Sequence, residues 1–118
     1  MTKKVLIVED DASALKLISR ILESINLEFL IAKDSSTALR FLNPEKIGFA
    51  LVDYSLEDGE TGDKVAEKAN ELGIPYFVTS DGAYCDPHEV FDNYKPLGYV
   101  SKAGVINLGD IVKQICEQ

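Results

Sequence analysis

The 118-residue sequence has a single histidine, His88, and two cysteines, Cys85 and Cys116, that lack the CxxC spacing of a zinc site. Too few ligands remain for a structural metal of that kind, and the thiols are expected to be free in a reducing compartment. One histidine and no G-x-S-x-G segment leave a hydrolase triad without its parts. The phosphate-cradling G-x-x-x-x-G-K-[ST] and the dinucleotide fingerprint G-x-G-x-x-G are both missing, which removes two common nucleotide-binding loops. Cations are scarce as well: 12 Lys plus Arg face 20 Asp plus Glu, for a net charge of −8. No basic stripe offers the clustered charge that neutralises a nucleic-acid backbone, so direct nucleic-acid binding is not expected. Long apolar runs are also lacking. Residues 5–8 and 49–52 fall far short of the roughly 20 residues that span a bilayer. Only four apolar residues separate Lys4 from Glu9, too few for a signal-peptide core. A cytoplasmic protein is the expectation.

What is present is a regular alternation. The length suits one domain, and a hydrophobic content of 46% supplies its core. Short apolar runs at 5–8, 29–32, 49–52, 76–78 and 99–101 read as strands covered on both faces. Between them lie stretches of helical spacing. Leu15, Ile18, Ile21, Leu22 and Ile25 form the first, and a short helix over 36–42 stops ahead of Pro44. A third helix runs through Val65, Ala69 and Leu72 and closes at Gly73. Asp86-Pro87 reads as the cap and first residue of a brief fourth helix that ends before Pro96. The last helix places Leu108, Ile111, Val112 and Ile115 on one face. No linker, repeat or low-complexity stretch interrupts the pattern. A βαβα order of this kind predicts an α/β fold with a five-stranded parallel sheet.

In such a sheet the ligand crevice lies outside the carboxyl ends of the strands, so the residues that end each strand are the candidates. The first strand ends in Glu9, Asp10 and Asp11, the third in Asp53, the fourth in Thr79 and Ser80, and the fifth in Lys102. Carboxylates brought to about 4 Å repel by roughly 4 kcal/mol at an effective dielectric near 20, and a cation relieves this. A few carboxylates with water and a phosphate suit magnesium or manganese rather than zinc. A carboxylate such as Asp53 can accept a phosphoryl group when a metal and the Lys102 ammonium neutralise the incoming oxygens. The Thr79 hydroxyl could then bond a phosphoryl oxygen.

Taken singly, these residues have plainer readings. Glu9, Asp10 and Asp11 could simply form an N-cap and acidic first turn, Asp53 a solvated loop acid and Lys102 a surface lysine. Tyr99 reads as a half-buried strand aromatic, and His88 as exposed. The combination at three strand ends favours the metal pocket, with Asp11 left as the cap.

On Val5-Leu6-Ile7-Val8-Glu9-Asp10-Asp11, Leu51-Val52-Asp53-Tyr54-Ser55-Leu56, Val78-Thr79-Ser80 and Gly98-Tyr99-Val100-Ser101-Lys102, the chain resembles a response-regulator receiver domain of bacterial two-component signalling. The resemblance runs from Lys3 to about Glu117. It implies a doubly wound, flavodoxin-like (βα)5 fold with strand order 2-1-3-4-5, a single receiver domain over 1–118 and no output domain, although an excised domain would look the same. By the resemblance, Glu9 and Asp10 are the acidic pair that binds Mg²⁺ or Mn²⁺, Asp53 is the phosphoacceptor and third ligand, and the backbone carbonyl of Ser55 also touches the metal. Lys102 contacts the phosphoryl group. The switch hydroxyl falls on Thr79 or Ser80, with Thr79 preferred because a small residue follows it, and Tyr99 is the aromatic that moves inward. Ser55 and Asp81 flank the attacking water that ends the phosphorylated state. The implied partners are a sensor histidine kinase or histidine phosphotransfer protein and a downstream protein target. The target is met by the face that the fourth and fifth helices share with the fifth strand.

Three departures from the family pattern stand out. Glu57 replaces a common proline four residues after Asp53, Ala103 replaces the proline often found after Lys102, and strand four reads one residue short after Pro75. They motivate an alternative, a phosphorylation-independent interaction module on the same fold. An acid-phosphatase-like enzyme with Asp53 as nucleophile is a third reading.

Overall fold

Each of the five apolar runs forms a strand. The computed structural model describes residues 3–54, 62–80 and 91–101. In it the strands are β1 (Lys4–Val8), β2 (Phe29–Ala32), β3 (Ile47–Asp53), β4 (Tyr76–Ser80) and β5 (Gly98–Ser101). All pairs are parallel, in the order β2-β1-β3-β4-β5, the order that the resemblance implies. The helices α1 (Ala12–Ser24), α2 (Ser35–Phe41) and α3 (Asp63–Leu72) connect the first four strands, and a 3-10 turn at Asp92–Tyr94 precedes β5. The cap at Asp86, the last helix with Leu108, Ile111, Val112 and Ile115, and Cys85, His88 and Cys116 lie outside the described residues.

Successive strand residues point to opposite faces, so each continuous apolar run supplies two cores. Leu6, Val8, Ala50, Val52 and Val78 pack on one side with Ala38 of α2 and Val65, Ala66 and Ala69 of α3. On the other side, Val5, Ile7, Phe49 and Leu51 meet Leu15, Ile18 and Leu22 of α1. Burying one such Leu, Ile or Phe is worth about 1.5–3 kcal/mol, which is why the strands tolerate almost no polar residue until their carboxyl ends.

Local chemistry sets the helix bounds. Asp11 accepts a hydrogen bond from the Ala14 backbone N–H (3.0 Å) and starts α1. Asp34 does the same for Thr37 N–H (2.7 Å) at α2, which begins that helix at Ser35, one residue ahead of the expected start. Gly73 ends α3 in the left-handed region, at φ 72°, where a Cβ is unfavourable. Two strands outrun their apolar segments by more than one residue. β3 takes in Ile47, Gly48 and Asp53, and β4 takes in Thr79 and Ser80, which corrects the expectation of a short fourth strand. Both strands are central, so ladder partners remain available beyond the apolar run: Asp53 pairs with Thr79, and Ser80 with Ser101. Among the described residues no helix is long and apolar enough to cross a membrane.

Candidate functional site

Where β1 and β3 run out, side by side, three carboxylates converge. β1 stops at Val8, and the Glu9 backbone N–H donates to the Ala32 carbonyl (3.0 Å), so the chain keeps its strand direction for one more residue. Asp10 N–H then donates to Glu9 Oε2 (3.0 Å). Because Asp11 turns to cap α1, the acidic run divides: one carboxylate serves the helix and two remain at the sheet edge. Asp53 is the last residue of β3. One oxygen each from Glu9, Asp10 and Asp53 can be chosen so that all lie within 4.8 Å of one another.

Burial gives the cluster its electrostatic weight. Glu9 is 1% and Asp53 2% exposed, while Asp10 is half-buried and keeps the cluster open to solvent on its side. At this spacing and an effective dielectric near 20, each ionised pair costs about 3.5 kcal/mol before solvent screening. A divalent cation held among three hard oxygens removes that cost. Among the described residues the donors are carboxylates, fewer than an octahedral ion takes, a set that fits magnesium or manganese with water and phosphate oxygens completing the shell.

Thr79 is the register partner of Asp53 and is 2% exposed. Its carbonyl accepts from Tyr54 N–H (2.9 Å), tying the chain just beyond Asp53 to β4. The Tyr54 ring meets Phe91 edge-on with centroids 5.8 Å apart. The described part of the site is thus braced from below by the sheet and from one flank by an aromatic contact.

Gly62 is a structural determinant that lies in none of the sequence motifs. Its N–H donates to the Tyr54 carbonyl (2.9 Å), and its α-carbon sits so close over the backbone of Asp53 that no side chain fits. The available signal was a glycine immediately ahead of a helical pattern.

Tyr99 is half-buried on β5 and packs against the core shared with α2 and α3. Its hydroxyl donates to Asp92 Oδ1, which holds the ring's polar end on the 3-10 turn. Tyr76, buried on β4, donates its hydroxyl to the Tyr94 carbonyl (2.8 Å). Burial pushes the Tyr76 phenol above its ordinary pKa, and the neighbouring phenols of Tyr99 and Tyr94 push in the same direction. The expected contributors Ser55, Asp81 and Lys102 lie outside the described residues, and for Ser80 the backbone alone is described.

No family model matches the sequence, and no curated protein does. Solved structures do. The CheY-like response regulator receiver domain protein from Methanospirillum hungatei JF-1 is 26% identical over 99% of this chain and 96% of its own, with a TM-score of 0.77. The signal receiver domain of a modulated diguanylate cyclase from Desulfovibrio desulfuricans G20 is 24% identical over 99% and 92%, with a TM-score of 0.82. The BeF3-activated N-terminal receiver domain of Klebsiella pneumoniae RstA is 19% identical over 98% and 100%, also at 0.82. The chain has the fold of response-regulator receiver domains.

Proposed function

We propose that this chain is a phosphorylation-driven signalling switch whose phosphoacceptor is Asp53. The observation that carries the reading is the convergence of Glu9, Asp10 and Asp53 at the carboxyl edge, with Asp53 in register with the buried Thr79. A sensor histidine kinase or a histidine phosphotransfer protein presents a phosphohistidine. A carboxylate oxygen of Asp53 attacks its phosphorus, the P–N bond breaks, and the imidazole leaves with the electron pair and takes up a proton. The product is an aspartyl phosphate.

Glu9, Asp10 and Asp53, with the Ser55 backbone carbonyl, would hold Mg²⁺ or Mn²⁺. Such an ion supplies neutralising charge for the phosphoryl oxygens. Lys102 adds a second positive charge to the same oxygens. The Thr79 hydroxyl, one strand away, bonds a phosphoryl oxygen, and Tyr99 follows by moving inward, which alters the face presented to a downstream protein. Ser55 and Asp81 flank the water that hydrolyses the acyl phosphate, with Asp81 orienting it. Phosphotransfer to Asp53 and hydrolysis of the acyl phosphate are thus self-catalysed steps of a switch rather than turnover of a free substrate.

The test is incubation with acetyl phosphate or beryllofluoride and MgCl₂, read by intact-mass spectrometry and by tyrosine spectra. A Mg²⁺-dependent modification or spectral change that Asp53→Asn abolishes is the expected result. No Asp53-dependent change under these conditions would leave the phosphorylation-independent interaction module as the better reading.

A further inference from the structure

At the opposite edge of the sheet, where the strands begin, the fold gathers cations that the composition made scarce. Lys3 and Lys4 enter β1, Arg40 and Phe41 close α2, and Lys46 ends the turn leading into β3. Together with Leu30 of β2 they line a cavity of about 540 Å³. Among the described residues of its wall, Glu45 is the single carboxylate, in a protein whose net charge is −8. Among the described residues, none of the four cations is engaged in an ion pair. Phe41 is 36% exposed and lines the cavity with its neighbours.

The walls of the cavity are braced. Lys46 and Ile47 N–H both donate to the Asn43 carbonyl (3.0 and 2.7 Å), and Glu45 N–H donates to Asn43 Oδ1 (2.9 Å). Lys4 N–H donates to the Lys46 carbonyl (2.8 Å), which joins the turn to β1. These bonds also bear on the choice of ligand. A compact phosphate is cradled by converging backbone N–H groups or a helix N-terminus. Here the turn's N–H groups are already engaged, and α2 offers its carboxyl end, whose carbonyls carry partial negative charge. Lysine ammoniums on flexible stems act as separate point charges rather than as a phosphate clamp. Carboxylates on flexible side chains can reach them one by one, while an apolar side chain covers Leu30 and Phe41.

We infer that this cavity is a docking groove for an acidic peptide segment of a partner protein, anchored by an aromatic or large aliphatic side chain. Its volume falls within the range of ordinary ligand pockets, roughly 300–1,000 Å³, which is ample for one such side chain and its neighbours. The groove lies at the edge away from Asp53, so its occupancy does not depend on the phosphoacceptor reading.

The test uses the full chain and a fluorescein-labelled peptide of glutamates and aspartates around a central Phe-Leu pair, followed by fluorescence anisotropy and by backbone NMR shifts. Saturable binding that weakens with salt is expected, with shifts concentrated at Arg40, Phe41 and Lys46. Arg40→Glu with Lys46→Glu should weaken it about tenfold or more, and Phe41→Ala should also weaken it. Both sites are exposed, and circular dichroism confirms folding. Arg40→Gln with Lys46→Gln provides a milder pair. Asp53→Asn should bind as the parent does. The inference is overturned by absence of saturable binding, by indifference to the charge reversals, or by equal binding of a peptide without the Phe-Leu anchor. It is likewise overturned if ATP, rather than the peptide, shifts the same residues, or if sedimentation shows a second copy of the chain occupying the groove.

Discussion

A Cβ placed on Gly62 would lie 2.3 Å from the carbonyl oxygen of Asp53 and 2.7 Å from Val52 Cγ1. Real contacts do not come so close, so the start of α3 rests on the backbone that carries the central carboxylate. The φ of Gly62 is −74°, an ordinary value for any residue. The requirement for glycine is therefore one of space and not of backbone conformation.

Gly62→Ala should accordingly destabilise the protein by about 1–3 kcal/mol, as overpacking does, and should weaken Mg²⁺ binding by displacing Asp53. Urea unfolding followed by tyrosine fluorescence, with a parallel Mg²⁺ titration, measures both. An unchanged unfolding midpoint would mean that α3 can shift away without cost.

The three clustered carboxylates repel in the absence of a cation. Asp10 is the half-buried member, so Asp10→Asn should leave the fold intact and raise the melting temperature in EDTA, by a stabilisation on the order of 1 kcal/mol after solvent screening. The same variant should gain less from MgCl₂ than the parent, because ligand-induced stabilisation follows affinity. Thermal melts with and without MgCl₂ give both quantities. Loss of stability in EDTA would show that the Asp10 carboxylate is a net stabiliser without metal.

The hydrogen bond from Tyr99 to Asp92 joins β5 to the 3-10 turn. Tyr99→Phe and Asp92→Ala should each cost about 0.5–1.5 kcal/mol, and the double variant should cost less than their sum. A double-mutant cycle by chemical denaturation reads the coupling. Full additivity would show that the two side chains do not interact in solution.

The phenol of Tyr76 has its pKa raised in the folded protein by burial, with Tyr99 and Tyr94 contributing. In the unfolded chain a tyrosine titrates near its ordinary value of about 10. The unfolded state therefore loses the proton first, so the contribution is fully present below about pH 10 and is lost as pH rises through the folded value. Unfolding midpoints should fall between pH 9 and pH 11, and more steeply for the parent than for Tyr76→Phe. Equal slopes would show that other groups dominate the alkaline loss. At neutral pH, Tyr76→Phe should cost about 1 kcal/mol for the hydrogen bond to the Tyr94 carbonyl.

Much of this molecule was legible locally. Continuous apolar runs such as Val5 to Val8 announce strands buried on both faces, and the helical spacing of Leu15, Ile18 and Leu22 announces the helix that covers one of them. Asp11 was legible as a cap because capping involves residues three apart. That Glu9, Asp10 and Asp53 occupy strand ends also follows from the pattern, since polar residues begin where burial stops. The reach of β4 to Ser80 was not legible. Thr79 and Ser80 carry no apolar signal, and what keeps them in the strand is the pair of neighbours that accept and donate across the ladder.

By itself, then, the sequence determined the class of fold, the number of strands and which residues stand at their carboxyl ends, because side-chain periodicity and capping act over a few residues. Only the tertiary structure decided what meets what. The pairing of β1 with β3 brings Glu9 and Asp10 to Asp53, and the seating of α3 places Gly62 on the Asp53 backbone. The turn before β3 carries Lys46 to Lys3, Lys4 and Arg40, although no basic run exists in the chain. Sheet register and helix packing join distant segments, and no local pattern encodes the distance at which they meet.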